Sequence, residues 1–129
     1  MVHPGLYIDY IPEKGRGIFT RTGIPANTIL EIAPVIVMTA GERVLVDQTI
    51  LHDYIFEWTP DDADMCCMAL GYIAVYNHSY TANCEYFMDY EKREIAIKTI
   101  RAITAGEELT INYNGDWDNG DEVWFDVQG

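Results

Sequence analysis

Short apolar or alternating runs, separated by turn residues, dominate the pattern of hydrophobic and polar positions along the chain. The runs are rich in β-branched and aromatic residues, a composition that predicts β-strands. They occupy residues 6–11, 18–20, 29–38, 94–100 and 109–113. Glycine, proline and asparagine mark turns at 12–17, 23–27, 41, 105–106 and 114–115. The pattern therefore predicts a mainly β protein built from short strands.

One stretch has a helical spacing instead. Thr59 offers a capping hydroxyl, Pro60 suits the first helical position, and acidic residues follow. Apolar side chains then recur at helical intervals, at Met65, Met68, Ala69, Tyr72, Ile73 and Tyr76. We therefore expect a helix over about 61–76, although Gly71 weakens it, and a second short helix around 41–47.

Length and charge narrow the class of protein. The chain has 129 residues and a formal net charge of −13. Because this length fits one domain, we expect a single domain over 1–129, with its core at about 6–113. Such acidity repels nucleic-acid phosphates and attracts basic proteins, so no direct nucleic-acid binding is expected. No apolar run is long enough for a signal peptide or a membrane span, so we expect an intracellular, soluble protein.

The cysteines give no sign of a metal site. Cys66, Cys67 and Cys84 form no C-x-x-C pair, and the histidines do not cluster with them in the sequence. Reduced thiols in an intracellular compartment are the simplest interpretation.

Two short stretches carry candidate chemistry. Gly15 and Gly17 flank Arg16, and a glycine turn lets the backbone approach a ligand closely, although a plain hairpin turn has the same pattern. Asn77 and His78 follow the predicted helix directly. They either cap its end or belong to a site, and His78 has no marked nucleophile to serve as a general base.

A third stretch covers residues 105–113. Here Glu107 and Glu108 lead into a predicted strand that ends at Tyr113. Paired carboxylates raise the alternatives of acid–base catalysis and glycoside hydrolysis. Neighbouring side chains on a strand point to opposite faces, so these two cannot share one site, and a solvated pair is the ordinary alternative.

Together, and in this order, the three stretches resemble the motifs of the SET-domain lysine methyltransferases. The matching stretches are Gly15-Arg16-Gly17 for the family's glycine motif, Asn77-His78-Ser79 with Asn83-Cys84 for its Asn-His-Ser motif, and Gly106 to Tyr113 for its closing strand and catalytic tyrosine. The resemblance covers about 6–113 and extends to small stand-alone members from viruses and bacteria. It implies a SET-domain (β-clip) fold with knot-like threading at the active site.

The resemblance also implies a reaction and its residues. S-adenosylmethionine would donate a methyl group, leaving S-adenosylhomocysteine, and a lysine of a basic protein such as a histone-like tail would accept it. Tyr113 and Tyr86 would be catalytic. The implied cofactor-binding residues are Lys14, Gly15, Arg16, Gly17, Tyr54, Asn77, His78, Tyr113 and Trp117. The implied substrate-channel residues are Tyr76, Tyr86, Ile111, Trp124 and Phe125, and no metal is implied.

The acidic segment 114–129 carries Trp117, Trp124 and Phe125. Large aromatics are costly to leave in water, so we expect this segment to fold back and close the site. The chain also lacks a tyrosine that many family members carry on the second strand, where Ala33 and its neighbours stand. This departure bears on the shape of the lysine channel and on the number of methyl groups added. Candidates to fill the gap are Tyr54, Tyr72 and Tyr76.

A different class of function shares the same fold. A SET-like module without catalysis would bind a peptide and transfer nothing. The presence of Tyr113, Asn77 and His78 favours the enzyme. A domain this small has little surface for selecting a substrate, which is compatible with a homodimer.

Overall fold

The computed structural model describes residues 1–113, so the expected turn at 114–115 and the C-terminal segment lie outside the described range. The strands are β1 (Leu6–Ile11), β2 (Gly15–Thr20), β3 (Ile29–Met38), β4 (Ile55–Trp58), β5 (Met65–Ala69), β6 (Asn77–His78), β7 (Cys84–Asp89), β8 (Glu94–Thr99) and β9 (Glu108–Ile111). The helical elements are α1 (Ala40–Val46) and three 3-10 turns at Ile50–Asp53, Pro60–Asp62 and Ile73–Val75. The mainly β prediction is confirmed.

Two sheets organise these strands. One has the order β1-β2-β9-β6, and the other has the order β4-β5-β3-β8-β7. Most neighbouring strands are antiparallel. Short turns join the pairs β1–β2, β4–β5 and β7–β8. The exception is β6, which runs parallel to β9. Because parallel neighbours need a long connection, this pair brings together segments that are far apart in the sequence.

The predicted strands are confirmed with small shifts at their ends. Residues 6–11 and 29–38 match β1 and β3, the stretch 18–20 lies within β2, and β8 ends one residue earlier than expected. The last strand, β9, begins at Glu108 and ends at Ile111. Tyr113 therefore lies just beyond the strand, so the alternation of side chains along the sheet does not fix the direction of its side chain.

The helix predicted at 61–76 is wrong. Its middle is β5, an inner strand that pairs with β3 on one side and β4 on the other. Cys66 and Cys67 are adjacent and both fully buried, as a strand covered on both faces requires. Gly71 then turns the chain with a φ of +65°. A short apolar run is compatible with both a helix and a strand. Here the pairing with two neighbouring strands makes the run a strand.

The short helix expected around 41–47 is confirmed as α1. Thr39 caps it, since its side chain accepts from the Glu42 backbone N–H while the Glu42 side chain accepts from the Thr39 N–H. No residue of α1 is buried, so the capping box stabilises it in place of core packing. Within residues 1–113, no helix is both long enough and apolar enough to cross a membrane.

The core lies between the two sheets. Its fully buried aliphatic side chains come from both of them: Ile18, Leu109 and Ile111 from one, and Leu30, Ile95 and Ile97 from the other. Alternation along β8 buries Ile95, Ile97 and Thr99 and leaves their neighbours partly exposed. The core therefore fixes β9, and with it the chain that leads to Tyr113.

Candidate active site

The parallel pair β6–β9 forms the centre of the candidate site. Asn77 lies opposite Thr110, and His78 lies opposite Ile111. The Ser79 N–H continues the ladder by donating to the Ile111 carbonyl at 3.0 Å. Asn77 is therefore not a helix cap, because the preceding 3-10 turn ends at Val75 with Tyr76 as its cap, and the Asn77 backbone belongs to a sheet. Two of the three motifs in the sequence thus lie side by side.

The third motif joins them through the Asn77 side chain. Its Nδ2 donates to the Arg16 carbonyl at 3.1 Å and to Glu108 Oε2 at 2.8 Å. Lys14 Nζ lies 3.2 Å from the other oxygen of Glu108. Glu108 therefore links the glycine turn, β6 and β9 through charge-assisted hydrogen bonds, which are stronger than neutral ones.

Glycine is required where β2 passes this link. A Cβ at Gly17 would lie 2.7 Å from Glu108 Oε2 and 2.9 Å from Asn77 Nδ2. Any side chain at position 17 would therefore displace the side chains of Glu108 and Asn77. Gly15 has a φ of +86°, a conformation that glycine adopts without steric cost. The glycine turn is thus more than a hairpin connection, because its shape makes room for the Asn77–Glu108 contact.

The carboxylates of Glu107 and Glu108 diverge, as alternation on a strand predicts. Glu107 Oε2 lies 2.8 Å from Arg101 Nη2 and 3.1 Å from Asn83 Nδ2. The Arg101 guanidinium, helped by these hydrogen bonds, lowers the pKa of the Glu107 carboxyl to about 2. The pair is therefore not a two-carboxylate catalytic site, and Glu108 belongs to the candidate site through its contacts to Asn77 and Lys14, which the sequence did not predict.

Tyr113 is held at both ends. Its backbone N–H donates to His78 Nδ1 at 2.9 Å, and its hydroxyl donates to the Tyr76 carbonyl at 2.7 Å. Burial raises the pKa of the Tyr113 hydroxyl above its usual value, and nearby Tyr54 and Glu108 act in the same direction. Burial also lowers the pKa of the His78 imidazole, which favours the neutral ring that accepts from Tyr113. The tyrosine is positioned as a neutral phenol.

Two cavities meet at this tyrosine. The first, which we call the glycine-turn cavity, has a volume of about 490 Å³. Its lining residues are Tyr10, Lys14, Gly15, Arg16, Asp53, Tyr54, Ala74, Val75, Asn77 and Tyr113. The second, the tyrosine cavity, has a volume of about 460 Å³. Its lining residues are Asp53, Tyr54, Ile55, Phe56, Glu57, Thr59, Ala74, Tyr76, Tyr86, Met88, Tyr90 and Tyr113.

The tyrosine cavity is aromatic and acidic. The Phe56 ring packs edge-on against Tyr86 with centroids 5.2 Å apart, which is a favourable aromatic geometry. Trp58 packs against Tyr90 in the same way at 4.7 Å. Among residues 1–113, the side chains that line the tyrosine cavity include two carboxylates, those of Asp53 and Glu57, and no basic group. Such a cavity suits a cation, through ring faces and through charge.

The predicted site residues divide into three groups. Those that line a cavity are Lys14, Gly15, Arg16, Tyr54, Tyr76, Asn77, Tyr86 and Tyr113. Gly17, His78 and Ile111 line neither cavity, and Ile111 is fully buried in the core. Trp117, Trp124 and Phe125 lie outside the described residues. The structure adds Asp53, Phe56, Glu57 and Tyr90. The aromatic residues of β4 are the signal in the sequence that could have indicated Phe56 and Glu57.

Ala33 stands where the sequence lacks the expected strand tyrosine. Ala33 is buried, and its Cβ packs near Gly71. Of the three candidates to fill its place, Tyr76 and Tyr54 line the tyrosine cavity. Tyr72 packs against the core and lines neither cavity.

The glycine-turn cavity can hold a charged nucleoside-like ligand. Its volume lies within the range of about 300–1,000 Å³ that is usual for ligand sites. Lys14 and Arg16 supply positive charge beside an open glycine backbone, which suits a carboxylate, and Tyr54 and Tyr10 supply aromatic surface. Within the described range, no group of three or more His, Cys, Asp or Glu side chains is placed to hold a metal ion.

Comparison with known proteins agrees with this geometry. Residues 15–114 match the SET domain family. The chain is 34% identical, over 88% of its length and 71% of the relative's, to a histone-lysine N-methyltransferase of Schizosaccharomyces pombe specific for H3 lysine-37. It is 28% identical to the histone-lysine N-methyltransferase SETD7 of Halocynthia roretzi, with 88% of this chain covering 32% of that protein.

A solved structure gives the same result for the fold. A protein of Plasmodium falciparum, provisionally assigned as a histone methyltransferase, superposes with a TM-score of 0.65. It shares 25% sequence identity, and the match covers 90% of this chain and 98% of that one. The chain therefore belongs to the SET-domain family. Within that family it is a protein-lysine methyltransferase.

Proposed function

We propose that S-adenosylmethionine, the methyl donor general to the family, binds in the glycine-turn cavity and that the target lysine enters through the tyrosine cavity. The observation that carries this assignment is the position of Tyr113, which lines both cavities. Asp53, Tyr54 and Ala74 are shared as well. Donor and acceptor approaching from opposite sides would meet in line at this point, and alignment of two reactants can supply about 7–11 kcal/mol of a barrier.

On the donor side, different residues would bind different parts of the ligand. Lys14, Gly15 and Arg16 would hold the amino-acid end, since two cations and an open backbone suit a carboxylate. Hydrogen bonds to Glu108 and to the Arg16 carbonyl fix the side-chain amide of Asn77. Asn77 would bind the ligand through its backbone and its remaining polar atoms. Tyr54 would cover the adenosine part. Gly17 and His78 act indirectly, because they shape the β2–β6–β9 junction.

The donor supplies a methyl group on a positively charged sulfur. The lysine amine must be neutral to attack it, and the adjacent positive charge favours loss of the ammonium proton. Tyr113 does not remove that proton, because burial raises the pKa of its hydroxyl. Its O–H is already donated to the Tyr76 carbonyl, so its further role toward the amine is to accept an N–H and orient the nitrogen lone pair. Tyr86 forms part of the wall around the lysine.

The substrate is a lysine within a basic protein segment. Asp53 and Glu57 contribute to the tyrosine cavity, and the whole chain carries a net charge of −13. Acidic surfaces speed the arrival of basic partners. The relatives named above act on histones, so a histone-like tail is the proposed class. Such a tail would lie near Asp53 and Glu57, which line the tyrosine cavity.

The segment 114–129 is proposed to close the site. It continues directly from Tyr113, which already lines both cavities, and it carries Trp117, Trp124 and Phe125. Trp117 would cover the donor, and the other two would complete the lysine channel. Truncation after residue 113 should therefore weaken binding of S-adenosylhomocysteine. Unchanged affinity and unchanged rate would remove this part of the proposal.

The assignment of the two cavities is tested by two variants that act as controls for each other. Asn77→Ala should lower the affinity for S-adenosylhomocysteine, measured by calorimetry, and should leave the affinity for a lysine peptide nearly unchanged. Tyr86→Ala should lower the affinity for the peptide and leave the affinity for S-adenosylhomocysteine nearly unchanged. If each variant weakened both ligands equally while remaining folded, the assignment of one ligand to each cavity would be wrong.

A further inference from the structure

Glu31 is a fully buried carboxylate that the steps above do not use. Its relative exposure is 0%. It follows an irregularity in β3, where Ile29 pairs with Lys98 but Glu31 pairs with Ile97. A β-bulge re-aims the side chains beside it, and here the adjacent residues Leu30 and Glu31 are both buried. Regular alternation after buried Leu30 would have turned Glu31 outward, so the bulge is what brings the carboxylate inside.

The carboxylate binds both ends of one short segment, residues 72–76. Glu31 Oε2 accepts from the Tyr72 backbone N–H at 2.7 Å, and Oε1 accepts from the Tyr76 hydroxyl at 3.5 Å. The first contact is short and the second is long, so Tyr72 is the main anchor. Gly71 makes room for it, because a Cβ at that position would collide with Oε2. The chain therefore turns around the carboxylate before it enters the segment.

The far end of segment 72–76 reaches the proposed reaction centre. The Tyr76 carbonyl accepts from the Tyr113 hydroxyl at 2.7 Å. Ala74, in the middle of the segment, lines both cavities. A shift of this segment would move the carbonyl that orients Tyr113 and, with it, the wall shared by donor and acceptor.

A carboxylate is a costly way to fill this space. Burying a charge is unfavourable unless hydrogen bonds compensate, and apolar residues of similar volume often replace buried charges without loss of stability. Burial raises the pKa of the Glu31 carboxyl, and the Tyr72 N–H and Tyr76 hydroxyl act in the opposite direction. What an apolar residue could not do is accept the Tyr72 N–H, so the carboxylate is suited to orientation more than to filling space.

We propose that Glu31 is a positioning residue for methyl transfer, holding segment 72–76 so that the Tyr76 carbonyl fixes the Tyr113 hydroxyl. This inference rests on the role proposed above for Tyr113. Glu31 touches neither cavity, since it lines neither of them. Its effect on the reaction is transmitted through the backbone of the segment.

The test compares Glu31→Leu, which fills the space without an acceptor, with Glu31→Gln, whose amide oxygen still accepts the Tyr72 N–H. Because a misplacement of reacting groups by about 1 Å can cost about 100-fold in rate, the Leu variant should lose at least about tenfold in kcat. KM for a lysine peptide and the affinity for S-adenosylhomocysteine should change by no more than about twofold, as both cavities keep their lining. The Gln variant should recover most of kcat.

Two results would overturn the proposal. One is a folded Leu variant with the kcat of the wild type. The other is a Gln variant as impaired as the Leu variant, which would mean that the acceptor is not what matters. If Glu31→Leu does not fold, Glu31→Met takes its place, because methionine has a similar length and its sulfur is only a weak acceptor.

A second measurement does not depend on turnover. Tyr113→Phe removes the hydroxyl that binds the Tyr76 carbonyl, and its lowering of Tm should be smaller in the Glu31→Leu background than in the wild type. Equal shifts in both backgrounds would contradict the coupling. If the wild-type protein transferred no methyl group, the proposed function would fail, while this cycle would still decide whether Glu31 and Tyr113 are coupled.

Discussion

The hydroxyl of Tyr113 donates a hydrogen bond to the carbonyl oxygen of Tyr76, with the two oxygens 2.7 Å apart. The two residues lie 37 positions apart in the sequence, and the parallel pairing of β6 with β9 brings their segments together. This contact fixes a phenol at the wall shared by two cavities. Pairing of two strands that are distant in the sequence thus places the phenol between the two cavities.

Removal of the Glu108 carboxylate should weaken donor binding. Glu108→Ala breaks its contacts to Asn77 and Lys14, so only the hydrogen bond from Asn77 to the Arg16 carbonyl still ties the glycine turn to β6. Hydrogen bonds to charged groups contribute about 1.5–3 kcal/mol, and we expect affinity for S-adenosylhomocysteine to fall by about tenfold or more. Calorimetric titration measures this directly.

The neighbouring carboxylate provides the control. Glu107→Gln changes a side chain that binds Arg101 and Asn83 and lines neither cavity. Its affinity for the same ligand should stay within about twofold of the wild type, well under 1.4 kcal/mol. An equal loss of affinity in both variants would show that the effect is general destabilisation of β9.

Glu107 also predicts a pH dependence of stability. Its pKa is lowered from 4.5 to about 2 in the folded protein, chiefly by Arg101. The unfolded chain therefore binds the proton more readily, so the stabilisation is fully present above pH 4.5 and is lost as the pH falls toward 2. The difference in urea midpoint between wild type and Glu107→Gln should shrink across that window. A constant difference from pH 6 down to about 2 would contradict the ion pair with Arg101.

Charge at the mouth of the tyrosine cavity should affect capture of basic peptides. Glu57 lines this cavity and is exposed, although it also lies 3.4 Å from Arg43. Glu57→Gln should raise KM for a lysine-rich peptide about two- to fivefold at low salt, because steering by charge is screened over about 10 Å at 0.1 M salt. The change should nearly vanish at high salt.

Glu13→Gln alters the net charge by the same amount at an exposed turn that lines neither cavity. It should leave KM for the peptide close to that of the wild type. If Glu13→Gln and Glu57→Gln raised KM equally, only the net charge of the protein would matter, and the acidic mouth would have no separate role.

The sequence predicted five of the nine strands in residues 1–113, because local sequence signals specify them. Turn glycines bound the runs, and β-branched residues fill them, so β1 and β3 were expected with their observed bounds. The stretch at 65–69 was misassigned because its apolar residues satisfy helical spacing, and only pairing with β3 and β4 makes it a strand. Two-residue β6 has no local signal at all.

The candidate site likewise contains some residues that the sequence could predict and some that it could not. Asn77, Tyr113 and the glycine turn belong to motifs, so their proximity could be expected from the sequence. Glu108 looked like half of a solvated pair, and its link to Asn77 and Lys14 exists only because β9 pairs with both β2 and β6. Glu31 could not be found from the pattern, because its burial depends on a bulge. The expected homodimer and the closing segment 114–129 stay predictions.

The central claim is methyl transfer to lysine at Tyr113, and one measurement tests it most directly. Wild type, Tyr113→Phe and the control Tyr7→Phe, whose ring stacks on Phe19 outside both cavities, are incubated with S-adenosylmethionine and a mixture of basic proteins. Mass spectrometry then follows methyl increments on lysine. Wild type and Tyr7→Phe should add them at similar rates, and Tyr113→Phe should be slower by about 100-fold while still binding S-adenosylhomocysteine. No transfer by the wild type, or an unchanged rate in Tyr113→Phe, would contradict the account.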